Sequence, residues 1–289
     1  MRLSDARSLL FVPATATGML QKALQRDADA IIIDLEDSVS AERKVEARGL
    51  AAKAIADLAG HVPVLARVNS DPDLLAADIA ALPVDKLQAV MLPKVESAAQ
   101  LDKVTRSMAA AVGANAPPIA ALVETPKGVL HAETFAMHPS LCALGFGAED
   151  FASEISVEPE PEPLSWAAQK IVTCARAYGL ACWGLPGSIA EIENMDAFGR
   201  LVQTARRIGF TGTVCIHPRQ VTEANKGFAP TPQQLEWAHK VIAAHEEARA
   251  KGAGATKVDG RMIDRPIVER ARRWASLEKL VLRNLSPKQ

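Results

Sequence analysis

The sequence is poor in cysteine and has no excess of charge of either sign. Its four cysteines lie far apart in 289 residues, and three fall in apolar runs, which indicates buried free thiols and argues against a disulfide framework or a zinc site. Lysine and arginine total 33 against 34 for aspartate and glutamate, with the two signs interspersed. This balance excludes a basic face for nucleic acid or an anionic membrane, so we expect a small-molecule partner.

Membrane and secretion signals are also missing from the sequence. No stretch reaches roughly 18 consecutive apolar residues, the length that indicates a membrane span. The opening MRLSDARSLLFVPATA has an aspartate and two arginines before a very short apolar run, which is too weak for a secretory signal. We therefore expect a cytoplasmic protein that does not bind a membrane.

What the chain does contain is a regular succession of short apolar runs, each followed by a longer stretch with helical spacing. Their near-continuous hydrophobicity predicts strands buried on both faces, as in a parallel sheet covered by helices. The runs are Ser8–Pro13, Ala30–Leu35, Val62–Val68, Ala89–Pro93, Pro118–Val123, Leu141–Phe146, Leu180–Leu185 and Gly212–Ile216. Eight such units predict a (β/α)₈ TIM barrel. The open doubly wound sheet is the alternative, but FVPATATG lacks the G-x-G-x-x-G turn expected there.

The chain continues beyond the eighth run with two further helical patterns. Thr231 and Pro232 begin the first, and the glycine-rich KGAGAT separates it from the second, which follows a turn-like VDG. We divide the chain into a barrel domain, residues 1–230, and a C-terminal helical extension, residues 231–289, that packs on its own barrel or on a neighbouring subunit. The acidic, proline-rich SVEPEPEPLS after the sixth run is either an exposed active-site loop or a plain spacer.

Polar residues follow most of the runs, at the barrel end where catalytic groups lie. They are Asp34, Glu36, Asp37, Arg67, Asn69, Lys94, Glu96, Glu124, Asp150 and His217. So many charges on one rim are costly unless a cation or an anionic ligand balances them. Carboxylates without a local histidine or cysteine cluster suit Mg²⁺, Mn²⁺ or Ca²⁺ better than zinc.

Each of these candidates has a functional and a structural interpretation. Glu124 and Asp150 follow successive runs, so they fit either a metal site or salt bridges on the rim. Arg67 is either a clamp for a substrate carboxylate or oxyanion, or a buried salt-bridge partner. For Glu36 and Asp37 we favour a role in orienting the residues that touch the ligand, against the alternative of a turn or helix cap.

For His217 we favour a structural role, a hydrogen bond to a loop carbonyl, over the alternative of a catalytic base. The tryptophans, Trp183 among them, are interpreted as packing residues.

Eight segments, taken in order, resemble the citrate lyase β-subunit and malyl-CoA lyase group of the aldolase/citrate lyase (HpcH/HpaI) superfamily. They are RSLLFVPA, DADAIIIDLEDSV, ARVN, LPKVE, ETPKG, GFGAED, CIHPRQ and GRMIDRP. Each segment alone is weak, but their order and spacing over nearly the whole chain make the resemblance specific.

The resemblance implies a TIM barrel with an active site at its mouth. Mg²⁺ would be held by Glu124 and Asp150, the substrate would contact Arg67 and Glu124, and Asp264 in MIDRP would be the catalytic acid and base. The implied assembly is a homo-oligomer, a trimer or a hexamer, in which each subunit contributes its Asp264 to the active site of a neighbouring subunit.

The implied activity is that of an enzyme, a Mg²⁺-dependent carbon–carbon lyase. It would cleave a small 3-hydroxyacyl-CoA thioester, such as citryl-, malyl- or citramalyl-CoA, into acetyl-CoA or a homologue and a 2-keto acid. Two alternatives stay open: a malyl-CoA-type thioester hydrolase on the same scaffold, and a non-catalytic citrate lyase-like subunit that needs partners. A metal-dependent pyruvate aldolase is disfavoured, because such enzymes typically carry a histidine near the second strand, where this chain reads DLEDSV.

Two segments depart from the family pattern. The first loop, PATATG, lacks the glycine and basic residue that often help to hold the CoA phosphates. Trp183-Gly184-Leu185-Pro186 stands where many relatives carry Asp-Gly-Val, a change expected to reshape the acyl pocket.

Overall fold

The computed structural model describes residues 2–252 and 254–278. The chain divides into two compact units between Phe228 and Ala229. The first unit contains eight parallel strands alternating with helices, and the second contains two helices and a β-hairpin. Among the helices of the described ranges, none combines the length and the hydrophobicity needed to cross a membrane.

The strands and helices of the first unit alternate along the chain. The strands are β1 (Ser8–Pro13), β2 (Ala30–Asp34), β3 (Val64–Arg67), β4 (Ala89–Leu92), β5 (Ile119–Val123), β6 (Leu141–Phe146), β7 (Ala181–Gly184) and β8 (Thr213–Cys215). The helices are α1 (Thr17–Lys22), α2 (Lys44–Leu58), α3 (Pro72–Ala81), α4 (Ala98–Val112), α5 (Pro126–Phe135), α6 (Ala148–Glu154), α7 (Pro161–Ala177), α8 (Met195–Ile208) and α9 (Pro218–Phe228).

The eight strands pair in parallel in the order β7-β6-β5-β4-β3-β2-β1-β8. The two ends of this sheet meet where Trp183 of β7 bridges Gly212, and the Gly184 N–H donates to the Gly212 carbonyl at 3.0 Å. Glycine is needed at position 212 because an added Cβ would lie 2.9 Å from the backbone of Arg7. The ring of strands confirms the predicted (β/α)₈ TIM barrel and excludes the open sheet.

The barrel has two apolar layers, which explains why the strand sequences are apolar on both faces. The larger layer lies between strands and helices. The inner layer fills the barrel with Leu9, Ile32, Leu65, Met91, Leu122, Trp183 and their neighbours. Trp183 is 1% exposed, which confirms it as a packing residue. Because side chains alternate along a strand, the next inward positions beyond this layer belong to Asp34, Arg67 and Glu124.

The proline-rich segment after β6 differs from both expectations. Only its first part is a loop, because α7 begins at Pro161. Proline is accepted at the first position of a helix, where the missing N–H would have no partner within the helix. The second half of the segment is therefore the first turn of α7.

The second unit is built from α10 (Pro232–Ala250), a hairpin of β9 (Thr256–Val258) and β10 (Arg261–Ile263), and α11 (Arg265–Ser276). Asp259 and Gly260 turn the hairpin with φ of 48° and 76°, the left-handed pair that tight hairpins require. Its apolar core is Ala238, Val241, Ile263, Val268 and Ala271, joined by Trp237 and Trp274, whose ring centroids lie 5.6 Å apart.

Candidate active site

Arg67, the last residue of β3, lies in a charged cluster at the carboxyl ends of the strands. Its Nε and Nη2 donate to the two carboxylate oxygens of Asp34 at 2.6 and 2.7 Å. The β2–β3 register places Asp34 directly opposite Arg67, which allows this two-point contact. Burial opposes the charge on Arg67, but Asp34, together with the charges of Glu36 and Glu124, outweighs burial and holds the pKa of the guanidinium above its ordinary value. The guanidinium carbon also lies 4.7 Å from the Phe11 ring centroid.

Glu36 and Asp37 approach the other side of the same guanidinium. Arg67 Nη1 lies 3.0 Å from Glu36 Oε2 and 3.6 Å from Asp37 Oδ2. The second Glu36 oxygen, Oε1, lies 3.7 Å from Lys94 Nζ. Burial raises the pKa of Glu36 to about 7, although the charge of Arg67 acts in the opposite direction. Glu36 therefore connects the two cations of the cluster.

Glu124 follows β5 and is 4% exposed. Its Oε2 accepts the backbone N–H of Lys94 at 3.0 Å. Lys94 has a φ of 53°, a left-handed conformation that is uncommon for a residue other than glycine and that tends to occur at functional sites. Burial raises the pKa of Glu124 to about 7, and the charge of Asp150 adds to this effect. The carboxylate is thus buried close to another negative charge.

The segment GFGAED brings Asp150 towards Glu124. Gly147 donates its N–H to the Val123 carbonyl at 3.1 Å, and a Cβ at this glycine would lie 2.5 Å from Glu124 Oε1. Asp150, in the first turn of α6, is partly exposed and accepts no hydrogen bond from the described part of the chain. The two carboxylates therefore keep oxygens that no group of residues 2–252 and 254–278 occupies.

The donor set at this position fits a magnesium ion. Within residues 2–252 and 254–278 no three histidine, cysteine, aspartate or glutamate side chains are grouped as a metal site. Mg²⁺ needs no such group, because it commonly binds one or two carboxylates and completes its shell with water and substrate. The five carboxylates of the cluster exceed its two cations, Arg67 and Lys94. A divalent cation beside Glu124 would reduce that imbalance.

Three other polar residues predicted at strand ends bond to groups outside the charged cluster. Asn69 Nδ2 donates to the Leu35 carbonyl at 3.0 Å, behind the loop that carries Glu36. Glu96 pairs with Lys127 at 2.9 Å and accepts from the Thr125 hydroxyl at 2.9 Å. His217 Nδ1 accepts the N–H of Arg219 at 3.2 Å, a structural contact with the first turn of α9.

Asp264 belongs to the second compact unit. It occupies the N-cap position of α11, but its carboxylate accepts no hydrogen bond from that helix. The side chain is exposed. Asp264 thus has the N-cap position but lacks the side-chain hydrogen bond by which a cap stabilises a helix.

Three contacts of the charged cluster were not predicted from the sequence. Asp34 appeared among the polar strand ends without a partner, although pairing β2 with β3 in register would have placed it opposite Arg67. Phe11 was hidden in an apolar run. The backbone bond from Lys94 to Glu124 had no sequence signal, since nothing in LPKVE indicates a left-handed lysine.

Known proteins match this chain over most of its length. The HpcH/HpaI aldolase/citrate lyase family matches residues 7–218. A (3S)-malyl-CoA thioesterase of Cereibacter sphaeroides (strain ATCC 17029 / ATH 2.4.9) is 35% identical, covering 89% of each chain. The citrate lyase subunit beta of Leuconostoc mesenteroides subsp. cremoris is 32% identical over 94% of this chain and 92% of its own. The human mitochondrial citramalyl-CoA lyase is 32% identical over 94% of this chain and 85% of its own.

Among solved structures, the protein CitE of Mycobacterium tuberculosis in complex with magnesium, acetoacetate and coenzyme A is similar, with a TM-score of 0.76. It is 27% identical, and the match covers 95% of this chain and 100% of that one. These matches confirm the resemblance seen in the eight sequence segments. The chain belongs to the HpcH/HpaI aldolase/citrate lyase family.

Proposed function

We propose that the protein is a Mg²⁺-dependent carbon–carbon lyase acting on a small 3-hydroxyacyl-CoA thioester in the cytoplasm. It would release acetyl-CoA or a homologue and a 2-keto acid. The observation that carries the proposal is the grouping of Glu124 and Asp150, which keep free oxygens, with Arg67, which three carboxylates surround. The relative named citramalyl-CoA lyase and the CitE complex with magnesium and coenzyme A support the same chemistry.

Glu124 and Asp150 would hold the metal, with Mn²⁺ as a substitute for Mg²⁺. When bound, the ion supplies a positive charge for the oxygens of the 2-hydroxy or 2-keto acid portion. The Lys94 N–H fixes the buried carboxylate of Glu124 through Oε2, which leaves Oε1 for a ligand.

Arg67 would bind the thioester oxygen that becomes an enolate as the bond breaks. A guanidinium has five N–H groups, and Asp34 accepts two of those on Arg67, while Glu36 forms an ion pair 3.0 Å from Nη1. N–H groups on Nη1 and Nη2 therefore stay available for a substrate oxygen. Because these contacts fix the group in advance, little reorganisation is needed when the negative charge develops.

In the cleavage direction the proton of the substrate hydroxyl would pass to water as the carbon–carbon bond breaks, and Asp264 would donate a proton to the enolate carbon. In the condensation direction Asp264 would remove a proton from that carbon, and water would protonate the new hydroxyl. We propose that the chain forms a trimer or a hexamer in which a neighbouring subunit supplies this aspartate. The exposed carboxylate of Asp264, which caps nothing, is available for such a role.

A thioester hydrolase is the second candidate, because a relative of this kind is 35% identical. It would use the same residues, but it would transfer the acyl group to water and leave the carbon skeleton intact. The third candidate, a subunit that works only with partners, is motivated by the relative named citrate lyase subunit beta.

A screen of the purified chain separates these candidates. Citryl-, malyl-, methylmalyl- and citramalyl-CoA are each incubated with Mg²⁺ or with EDTA, and the products are identified by mass spectrometry. The lyase proposal expects a 2-keto acid together with acetyl- or propionyl-CoA, only when Mg²⁺ is present. Free CoA with an intact hydroxy acid would establish the hydrolase. If none of the four thioesters is turned over, the candidate that works only with partners is favoured.

A further inference from the structure

Lys44, the first residue of α2, connects two of the loops that form the active-site cluster. Its Nζ lies 2.7 Å from each of three oxygens: the carbonyls of Leu35 and Glu36 and the side-chain carbonyl of Asn69. Leu35 and Glu36 follow β2, whereas Asn69 follows β3. One side chain thus joins the segments that carry Glu36 and Arg67.

The three contacts use the full bonding capacity of the lysine. An ammonium group has three N–H donors, and here each has its own acceptor. No carboxylate in the described part of the chain forms an ion pair with Lys44. The ammonium is therefore committed to holding backbone and amide oxygens in place.

Asn69 is itself held rigidly. Its backbone N–H and Nδ2 donate to Asp78 Oδ2 at 2.9 and 2.7 Å. Asp78 is 1% exposed and pairs with Arg48 at 2.8 Å. Because Nδ2 is fixed, the amide oxygen of Asn69 must face Lys44, so the lysine is attached to a buried and immobile support.

We propose that Lys44 is a positioning residue of the active site. By holding the Leu35 and Glu36 carbonyls, it keeps the Glu36 carboxylate 3.0 Å from Arg67 Nη1. Without this restraint the carboxylate would turn to water, because a buried charge is unfavourable unless its surroundings hold it. Arg67 would keep its hydrogen bonds to Asp34, but its Nη1 would lose the contact with Glu36. This inference rests on the proposed function, in which Arg67 touches the substrate.

The test compares two lysines of the same helix. Lys44→Met keeps a side chain of similar length without its donors, and Lys53→Met removes an exposed lysine that forms a surface ion pair with Asp57 at 2.7 Å. We expect Lys44→Met to lower kcat on the order of 10²-fold, the effect of a small misplacement of a catalytic group, with KM changed less than about twofold. Lys53→Met should match the wild type in both.

Crystal structures of both variants provide a readout that does not depend on activity. In Lys44→Met the distance from Arg67 Nη1 to Glu36 Oε2 should exceed hydrogen-bonding range, whereas Lys53→Met should keep it. If Lys44→Met does not fold, Lys44→Gln, which keeps two donors, replaces it with the same expectation. A wild-type kcat, or an unchanged Glu36–Arg67 contact, would overturn the proposal. A wild-type enzyme that turns over no thioester would refute the proposed function, and the structures would still decide the role of Lys44.

Discussion

Glu124 is held in a position that is unfavourable for a charge in the metal-free protein. Its pKa is about 7 in the folded protein against an ordinary 4.5, so the folded state binds more protons than the unfolded state between these values. The free energy of unfolding must therefore fall as pH rises from about 4.5 to about 7 and stay low above that. A bound cation would favour the charged form and remove this penalty.

The first prediction is that Glu124→Gln stabilises the metal-free protein at pH 8, on the order of 3 kcal/mol. Glutamine can still accept the Lys94 N–H but carries no charge. Urea unfolding at pH 5 and pH 8 measures the change, which should shrink at the lower pH. Mg²⁺ should raise the Tm of the wild type but not that of the variant.

Glu96→Gln is the matched control, since Lys127 holds the pKa of Glu96 below its ordinary value and the loss of its charge should not stabilise the protein. An Mg²⁺-dependent rise in Tm that survives Glu124→Gln would remove Glu124 from the metal site.

Arg67→Lys is the second prediction at this scale. Lysine keeps the charge but cannot meet Asp34 and Glu36 in one plane while presenting further N–H groups to a substrate. We expect kcat/KM to fall at least about a hundredfold with little change in Tm. Arg43→Lys is the control, because Arg43 makes a similar two-point contact with Glu46 on the surface, at 2.8 and 2.9 Å. Equal activities of the two variants would show that Arg67 only balances charge.

The residues of the site were predictable to different degrees. Glu124, Asp150 and Arg67 could be named because they follow apolar strands, and a barrel gathers such positions at one end. The partners of Arg67 could be predicted only with knowledge of how β2 and β3 pair in register. The left-handed conformation of Lys94 could not be predicted from the sequence, because tertiary contacts impose a backbone conformation that lysine does not favour by itself.

At the scale of elements, the turn from β6 into α6 determines where Glu124 can lie. Gly147→Ala is the third prediction: the new Cβ would lie 2.5 Å from Glu124 Oε1, so the carboxylate must move. We expect weaker Mg²⁺ binding, measured by calorimetry, together with a lower Tm. Gly18→Ala is the control, because no atom lies within 4 Å of its added Cβ. Unchanged Mg²⁺ affinity in Gly147→Ala would place the metal away from this turn.

Strands were predicted more accurately than short helices and hairpins. The expected bounds of β1 and β6 agree with the structure, and the other runs overlap their strands. Burial on both faces leaves a continuous apolar run that is easy to recognise. The short helix α6 and the hairpin β9–β10 were missed, because seven and three residues are too few to show a period.

In the molecule as a whole, the barrel could be predicted by counting apolar runs, whereas the proposed acid and base, Asp264, belongs to the second compact unit. The fourth prediction is that Asp264→Asn folds, binds Mg²⁺ and loses on the order of 10²–10⁴ in rate. Mixing it with Arg67→Ala should restore part of the activity if each site combines residues of two subunits. Asp259→Asn, in the turn of the preceding hairpin, is the control and should stay active.

Two outcomes would contradict parts of this prediction. A fully active Asp264→Asn would end the acid and base role. Failed complementation, with subunit exchange shown by mass spectrometry of the mixed oligomer, would mean that Asp264 serves its own barrel.

The central claim is that the enzyme breaks a carbon–carbon bond and protonates the resulting enolate. Turnover of (3S)-malyl- or citramalyl-CoA in D₂O with Mg²⁺ tests this claim directly. The masses of the products are measured by mass spectrometry. We predict acetyl-CoA carrying one deuterium in its methyl group, together with an equal amount of 2-keto acid. Free CoA together with a hydroxy acid that holds no carbon-bound deuterium would contradict the account.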